Sequence, residues 1–203
     1  LGVPFIVFLA PGLIAMQIIQ QAFSHSSSSF MIGKIQGNIV DLVYAPLSAG
    51  EVTLAVTLAS VTRSVLIAII SLLVFYLFID LDIKNFTTLI AFTLLSAFSL
   101  GALGIIAGLW AEKFDHMATV TNFVIIPLSF LSGTFYSIER LPEMLQVISK
   151  ANPFFYMIDG FRYSFIGQSD GSILFGLVYL STLSLLIWFI SYILYKKGYK
   201  IKS

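Results

Sequence analysis

The chain has 203 residues, of which 58% are apolar and only 10% are charged, and its formal net charge is +1. Soluble domains carry charge on about one-quarter of their residues, so this composition excludes a water-soluble domain. It predicts one integral membrane domain over residues 1–203. Cysteine is absent, which excludes disulfides and thiolate metal sites.

Five apolar runs follow one another along the chain, and each has about the 20 residues that a helix needs to cross a bilayer. They predict an all-α polytopic bundle with about five spans. The C-terminal sequence KKGYKIKS contains four lysines. Positive residues favour the cytoplasmic side, so we expect the C-terminus inside and the N-terminus outside. The runs are Val3 to Phe23, Glu51 to Ile79, Phe86 to Trp110, Met117 to Tyr136 and Ile173 to Tyr195.

Polar residues interrupt the first two runs. Gln17 and Gln20 in the first run either bond neighbouring helices or face a polar substrate path. The tract from Ser24 to Ser29 predicts the end of the first helix, with His25 in a structural role. Arg63 lies inside the second run, where an arginine costs about 3 kcal/mol at the bilayer centre. It must therefore snorkel to the headgroups, form a buried pair or contact an anionic substrate group.

Between these two runs, the stretch from Lys34 to Ser48 (KIQGNIVDLVYAPLS) mixes apolar and polar residues at helical spacing. Ile39 and Leu42 share one face, whereas Asp41 provides a polar position. The pattern predicts an amphipathic helix that lies at the membrane surface and ends at Pro46. Periodicity alone leaves open whether this helix binds a partner.

The third run contains Gly104 and Gly108, which stand four residues apart. This small-xxx-small spacing allows two helix backbones to approach closely. We expect both glycines to pack helices together, either within the subunit or against a second copy of the chain.

The stretch from Pro127 to Gly167 is too apolar for an ordinary loop and too interrupted for a span. It predicts an external re-entrant helical hairpin, in which Gly133 supplies backbone freedom and Asn152-Pro153 form a turn. Asp159 and Arg162 are spaced i,i+3, so we expect them to face each other as a structural pair, with a substrate site as the alternative.

This hairpin carries a family resemblance. The patterns P-x-x-F-L-S-G-x-F-Y-x-I-x-x-L-P and N-P-x-x-Y-x-I-D-x-x-R resemble the C-terminal signature of ABC-2 type transporter membrane subunits. The drug and polysaccharide export branch is the most similar. The stretch from Pro11-Gly12-Leu13 to Pro46-Leu47-Ser48 fits the same family.

The resemblance implies a six-span fold, of which this chain lacks an N-terminal interface helix and the first span. It also implies that Lys34 to Ser48 is a cytoplasmic coupling helix, which docks onto an ATP-binding subunit and transmits its motion. The residues that would carry this coupling are Lys34, Gly37, Asp41, Leu42, Pro46 and Leu47.

The resemblance further implies the permease subunit of an ATP-driven exporter for a drug, polysaccharide or lipid-linked glycan. Expected partners are an ATP-binding-cassette ATPase, a second permease copy and the lipid bilayer, with no nucleic acid. The expected location is the plasma membrane, which is the inner membrane in a Gram-negative cell.

No glycine-rich phosphate loop and no metal-ligand spacing occur in the sequence. We therefore expect no catalytic, metal or cofactor site on this chain, and ATP and Mg²⁺ in the partner subunit. The alternative is a self-contained ion-coupled transporter or channel. Such proteins usually carry acids within their spans, and none lies mid-span here.

Overall fold

A computed structural model of the chain describes residues 4–200. Val3, where the first apolar run begins, and Lys202 lie outside the described residues. The described part is helical throughout its regular structure, which confirms the predicted all-α class. Its α-helices are α1 (Phe5–Gln36), α2 (Ile39–Tyr44), α3 (Ala49–Tyr76), α4 (Phe86–Trp110), α5 (Phe114–Val120), α6 (Ile126–Phe130), α7 (Glu143–Ala151), α8 (Pro153–Ile166) and α9 (Ile173–Lys196).

Four helices of the described part, α1, α3, α4 and α9, are long and apolar enough to cross a membrane. The remaining predicted span, Met117 to Tyr136, is shorter than expected. Its helical part joins α5 to α6 through a π-helical turn at Thr121–Ile125 and ends at Phe130. Pro127 cannot donate a backbone hydrogen bond and its ring crowds the preceding turn, so the wider π turn just before it accommodates the proline.

Helix α1 is longer than the sequence predicts. The serine-rich tract at 24–29 does not end the helix, which continues to Gln36. Two of the hydroxyl groups bond back to their own helix: Ser27 Oγ donates to the carbonyl of Ser24 at 3.2 Å, and Ser29 Oγ donates to that of His25 at 2.7 Å. Small side chains also suit this part of α1, where Ser26 and Ser27 are fully buried.

Helix α4 is the most buried span, with α1, α3, α8 and α9 packed around it. Gly104 and Gly108 face α1 of the same chain. A Cβ atom at Gly104 would lie 2.5 Å from the carbonyl oxygen of Phe23, and one at Gly108 would lie 2.7 Å from that of Ser27. The two glycines therefore set the close approach of α1 and α4 within the subunit.

The ends of the helices form two chemically different regions. The basic end comprises the end of α1, the 37–48 segment, the end of α4 and the end of α9, with Lys34, Lys113, Lys196, Lys197 and Lys200. The hairpin end comprises residues 131–172 together with the start of α1 and the turn before α4. Contacts across each end, described below, show that these elements meet.

Candidate coupling segment and transport path

The candidate for coupling, named the coupling segment below, is residues 37–48 at the basic end. Helix α1 stops at Gly37, whose φ of 77° is left-handed and is favourable for glycine. Only Ile39–Tyr44 is helical, and Pro46 then precedes the start of α3. The prediction of one amphipathic helix from Lys34 to Ser48 is therefore wrong in extent, because the left-handed turn separates Lys34 from the rest.

Helix α3 begins with a complete capping box. The side chain of Ser48 accepts a hydrogen bond from the backbone of Glu51, and the Glu51 carboxylate accepts one from the backbone of Ser48 at 2.7 Å. Such reciprocal caps satisfy free N–H groups at a helix start. They fix the point at which the coupling segment joins α3.

Ile39 anchors the coupling segment to the bundle. Its side chain is 5% exposed and belongs to a small apolar cluster with residues of four spans. Leu42, one turn later, packs against the same cluster. A displacement of the segment would therefore act on every one of these spans, because close-packed interiors transmit strain. The cluster partners of Ile39 are Phe30, Val52, Ile105, Leu109 and Tyr195.

The outer face of the coupling segment is open. Gly37, Asp41 and Pro46 are exposed, and the apolar side chains of Tyr44 and Leu47 are 81% and 52% exposed. An apolar group flanked by polar residues is typical of a protein contact surface. Five of the six predicted coupling residues thus belong to one segment, with Leu42 on its inner side.

Lys34 is the sixth predicted coupling residue, and its side chain turns inward. Its Nζ donates hydrogen bonds to the carbonyls of Leu109 at 2.7 Å and Ala111 at 2.5 Å. The last carbonyls of a helix have no partner within it and carry partial negative charge. Lys34 therefore ties the end of α1 to the end of α4 and does not contribute to the outer face.

A second basic residue reinforces the end of α4. Lys200 forms a salt bridge of 2.7 Å with Glu112, just after α4. This hydrogen bond lowers the pKa of the Glu112 carboxyl and raises that of Lys200. The C-terminal region thus meets α4 at the same place as Lys34, although both groups are exposed and the pair is weak.

The polar residues of the predicted transport path lie on the outside of the subunit. Gln17 is exposed and Gln20 is half-buried on α1. Within residues 4–200 neither side chain forms a hydrogen bond with another helix. Arg63 of α3 is also exposed, and its Nη1 lies 3.2 Å from Nδ1 of His25 on α1. The structure brings Arg63 and His25 together, although the sequence assigned His25 only a structural role.

Asn152 fixes the turn of the hairpin. Its amide nitrogen donates to the Leu128 carbonyl at 2.9 Å and to Ser132 Oγ at 2.8 Å, and its amide oxygen accepts from the backbone of Phe154. Pro153 is the first residue of α8, a position that favours proline. The Asn152-Pro153 turn therefore joins α7, α8 and the end of α6.

Arg162 is buried against the turn at Gly133. Its Nη2 donates to the carbonyls of Gly133 at 2.6 Å and Thr134 at 3.3 Å, and its guanidinium lies 3.8 Å from the ring centre of Phe8. The φ of Gly133 is 77°. A Cβ atom at Gly12 would lie 2.7 Å from the Thr134 carbonyl, so glycine there lets the turn approach α1.

Asp159 and Arg162 do not form the predicted pair. The carboxylate of Asp159 accepts hydrogen bonds from the backbone N–H groups of Asp170 and Gly171, both at 3.0 Å. The carboxylate of Asp170 in turn accepts from the backbone of Ile138 at 2.9 Å. Burial raises the pKa of Asp159 to about 6, although the two backbone donors act in the opposite direction. Backbone groups of the neighbouring loops thus bond to both charged side chains, although the Nε of Arg162 is buried without a hydrogen-bond partner among the described residues.

Comparison with known proteins agrees with this architecture. The sequence profile of the ABC-2 type transporter family matches residues 2–166. The inner membrane transport permease YadH of Escherichia coli strain K12 is 33% identical over 169 residues, which is 83% of this chain and 66% of YadH. Nodulation protein J of Rhizobium leguminosarum bv. viciae is 27% identical over 82% of this chain and 65% of its own length. Nodulation protein J of Neorhizobium galegae is 24% identical over 97% of this chain and 75% of its own length.

The chain therefore belongs to the ABC-2 type transporter family, which confirms the resemblance. Its helices and its relatives make it a multi-pass protein of the bacterial inner membrane. The chain spans 66% of the length of YadH and 65% of that of the Rhizobium leguminosarum protein.

Proposed function

We propose that this chain is the membrane-spanning permease subunit of an ATP-binding-cassette exporter. A separate subunit would bind ATP and Mg²⁺ and hydrolyse the nucleotide, and a second permease copy would complete the path. The observation that carries the proposal is the coupling segment, whose outer face is exposed at Tyr44 and Leu47 while Ile39 is buried among the spans. Family membership supports the same assignment.

In this mechanism, ATP binding moves the ATPase subunits and displaces the coupling segment. Ile39 passes the displacement to its apolar cluster, and Lys34 passes it to the end of α4 through two carbonyl hydrogen bonds. Because α4 lies at the centre of the bundle, its movement would change the packing of the spans around it.

We propose an amphipathic substrate, such as a drug, a polysaccharide or a lipid-linked glycan. The outward face of α1 supports this class, because it places Gln17, Gln20, Gln21 and Ser24 within one arc of a helix otherwise made for a membrane. A polar strip inside an apolar span suits a ligand that has both polar and apolar parts.

The proposal predicts a stoichiometric partner with Walker motifs. The test is purification of the full-length protein from its own membranes in mild detergent, followed by mass spectrometry of the bound proteins and assays of ATPase activity and transport. Asp41→Lys should leave membrane insertion intact and uncouple ATP hydrolysis from transport, because Asp41 lies on the outer face.

Asp82→Lys is the matched control, since it makes the same charge change at an exposed position at the other end of the bundle. It should leave coupling unchanged. The absence of an ATPase after chemical cross-linking, or normal coupling in Asp41→Lys, would contradict the proposal.

A further inference from the structure

Arg63 lies deep in the membrane rather than at its surface. It follows Ala49, the first residue of α3, by fourteen residues, which is about 21 Å along a helix. The hydrocarbon core is about 30 Å thick, and we place the membrane boundary of α3 at Ser48 and Glu51, because both are polar and exposed. The side chain of Arg63 therefore starts near the bilayer centre.

The guanidinium does not reach back toward the headgroups. It bonds sideways to His25 on α1, and His25 precedes the end of α1 by eleven residues, about 17 Å. Both members of the contact thus lie at a similar depth. Snorkelling, which would turn the side chain along α3 toward Ser48, does not describe this arrangement.

The part of the chain that the structure describes supplies no counter-charge for Arg63. Within residues 4–200, the salt bridge between Lys200 and Glu112 at the basic end is the only one. Arg162, the other arginine packed among the helices, has two carbonyl acceptors. Arg63 has only the imidazole of His25, which is a neutral acceptor. Because Arg63 is exposed, its charge and its remaining N–H groups are accessible from outside the described helices.

The contact with His25 also determines which nitrogen of the imidazole carries the proton. A guanidinium can only donate, so Nδ1 of His25 must accept and Nε2 must carry the proton. The pair therefore presents the free guanidinium N–H groups and an imidazole N–H as donors. Gln21, one helical turn from His25 on α1, is half-buried beside them. A cluster of donors with a net positive charge is complementary to an oxyanion.

We propose that Arg63 and His25 bind the anionic headgroup of an amphiphile midway across the membrane. The headgroup is a phosphate, sulfate or carboxylate, which a guanidinium can bind with two parallel hydrogen bonds. The apolar part of the ligand lies along the exposed apolar side chains of α3, such as Leu66 and Ile70. That the ligand is the exported substrate rests on the proposed function, whereas the anion site itself does not.

The test is equilibrium binding of radiolabelled dodecyl phosphate to the purified full-length protein in phosphatidylcholine nanodiscs without ATP. We expect saturable binding that neutral dodecyl maltoside does not displace. Arg63→Gln should weaken binding at least about tenfold, because it removes a charge-assisted hydrogen-bond donor. His25→Phe should weaken it less, by about threefold, because it removes one neutral donor.

Arg140→Gln is the matched control, because Arg140 is exposed at the hairpin end outside the spans. It should bind dodecyl phosphate like the unchanged protein. Arg63→Lys keeps the charge but loses the planar fork, so it should bind with an intermediate affinity and serves if Arg63→Gln does not fold. Equal binding by the unchanged protein and the Arg63 variants would overturn the proposal.

A competition arm separates two sources of the anion. If phosphatidylglycerol added to the nanodiscs displaces dodecyl phosphate from the unchanged protein, the site accepts a membrane lipid headgroup. If dodecyl phosphate stays bound in excess phosphatidylglycerol, the site is selective for an amphiphile other than this lipid. Both results support the anion site, and neither depends on ATP hydrolysis. A missing ATPase partner would therefore contradict the export function without affecting this result.

Discussion

The two ends of the bundle are built in opposite ways. At the hairpin end, Asn152, Asp159 and Arg162 are buried, and each forms hydrogen bonds with backbone groups of neighbouring elements. At the basic end, the coupling segment has one buried anchor, Ile39, and an exposed outer face. The charged and amide side chains buried at the hairpin end thus bond within the subunit, whereas the coupling segment at the basic end is a mostly exposed segment that a partner can cover.

Because of this difference, we expect substitutions at the two ends to affect different properties, stability at the hairpin end and coupling at the basic end. Substitutions at the hairpin end remove buried charged groups from their partners and should cost much stability. Substitutions on the outer face of the coupling segment should cost little, because exposed positions contribute within about 0.5 kcal/mol. We therefore expect variants at the hairpin end to lose much stability and variants on the outer face of the coupling segment to lose little.

The largest loss is expected for Arg162→Met. This change removes the two hydrogen bonds to Gly133 and Thr134 and leaves their buried carbonyls without a charged donor. We expect a loss of about 3 kcal/mol, measured as a lower midpoint of thermal unfolding in detergent. Arg140→Met, at an exposed position of the same end, should unfold like the unchanged protein. Equal unfolding midpoints for the two variants would show that the hydrogen bonds of Arg162 do not stabilise the hairpin end.

Gly104→Ala should destabilise the contact between α1 and α4. Its Cβ would lie 2.5 Å from the Phe23 carbonyl, so the two helices must separate, at a cost of about 2 kcal/mol. Gly33→Ala is the matched control on α1, because the nearest atom to its Cβ would be 3.7 Å away. That variant should gain up to about 1 kcal/mol from helix propensity. The same unfolding assay shows whether each variant gains or loses stability. A stabilised Gly104→Ala would refute the close packing of α1 against α4.

Asp159 should give the hairpin end a pH dependence. Its pKa is raised from 3.8 to about 6, so the folded chain binds more protons than the unfolded chain between these values. Stability is therefore greatest at low pH and falls as the pH rises through about 6. We expect a loss of roughly 1 kcal/mol between pH 5 and 7. Asp159→Asn should abolish this fall of stability with pH, and Asp82→Asn should keep it. An unchanged fall in Asp159→Asn would show that another group causes the pH dependence.

The smallest effect on stability is expected for Asp41→Lys. Because Asp41 is exposed on the coupling segment, the free energy of unfolding should change by less than about 0.5 kcal/mol, although transport is uncoupled. The unfolding midpoint measured beside the transport assay checks this. A large loss of stability would show that Asp41 supports the fold and would remove the contrast between the two ends.

The sequence predicts the spans well because their signal is local. Hydropathy over about 20 residues gives α3, α4 and α9 close to their observed bounds. It fails at residues 24–29, where the serines suggested a helix end, whereas the helix continues and Ser26 and Ser27 are buried against α4. Small polar residues are common both in loops and where two helices pack closely, so the sequence alone does not distinguish the two.

The partners of the charged residues could not be predicted from spacing. Spacing i,i+3 places Asp159 and Arg162 on one helix face, but it does not show that the loops at 133–134 and 170–171 supply competing backbone groups. The sequence also could not show that Lys34, expected among the coupling residues, turns inward, because its acceptors at the end of α4 lie 75 and 77 residues away in the chain. The contact between Arg63 and His25 likewise depends on how α1 packs against α3.

Cysteine cross-linking tests most directly whether the coupling segment binds an ATPase subunit. Because the chain has no native cysteine, Tyr44→Cys and Met144→Cys each introduce one thiol at positions that are 81% and 76% exposed, at opposite ends. A thiol-to-amine cross-linker is applied to intact membranes. We predict that Tyr44→Cys links to a subunit with Walker motifs and that Met144→Cys does not. Equal linking at both positions, or linking at Met144→Cys alone, would contradict the account.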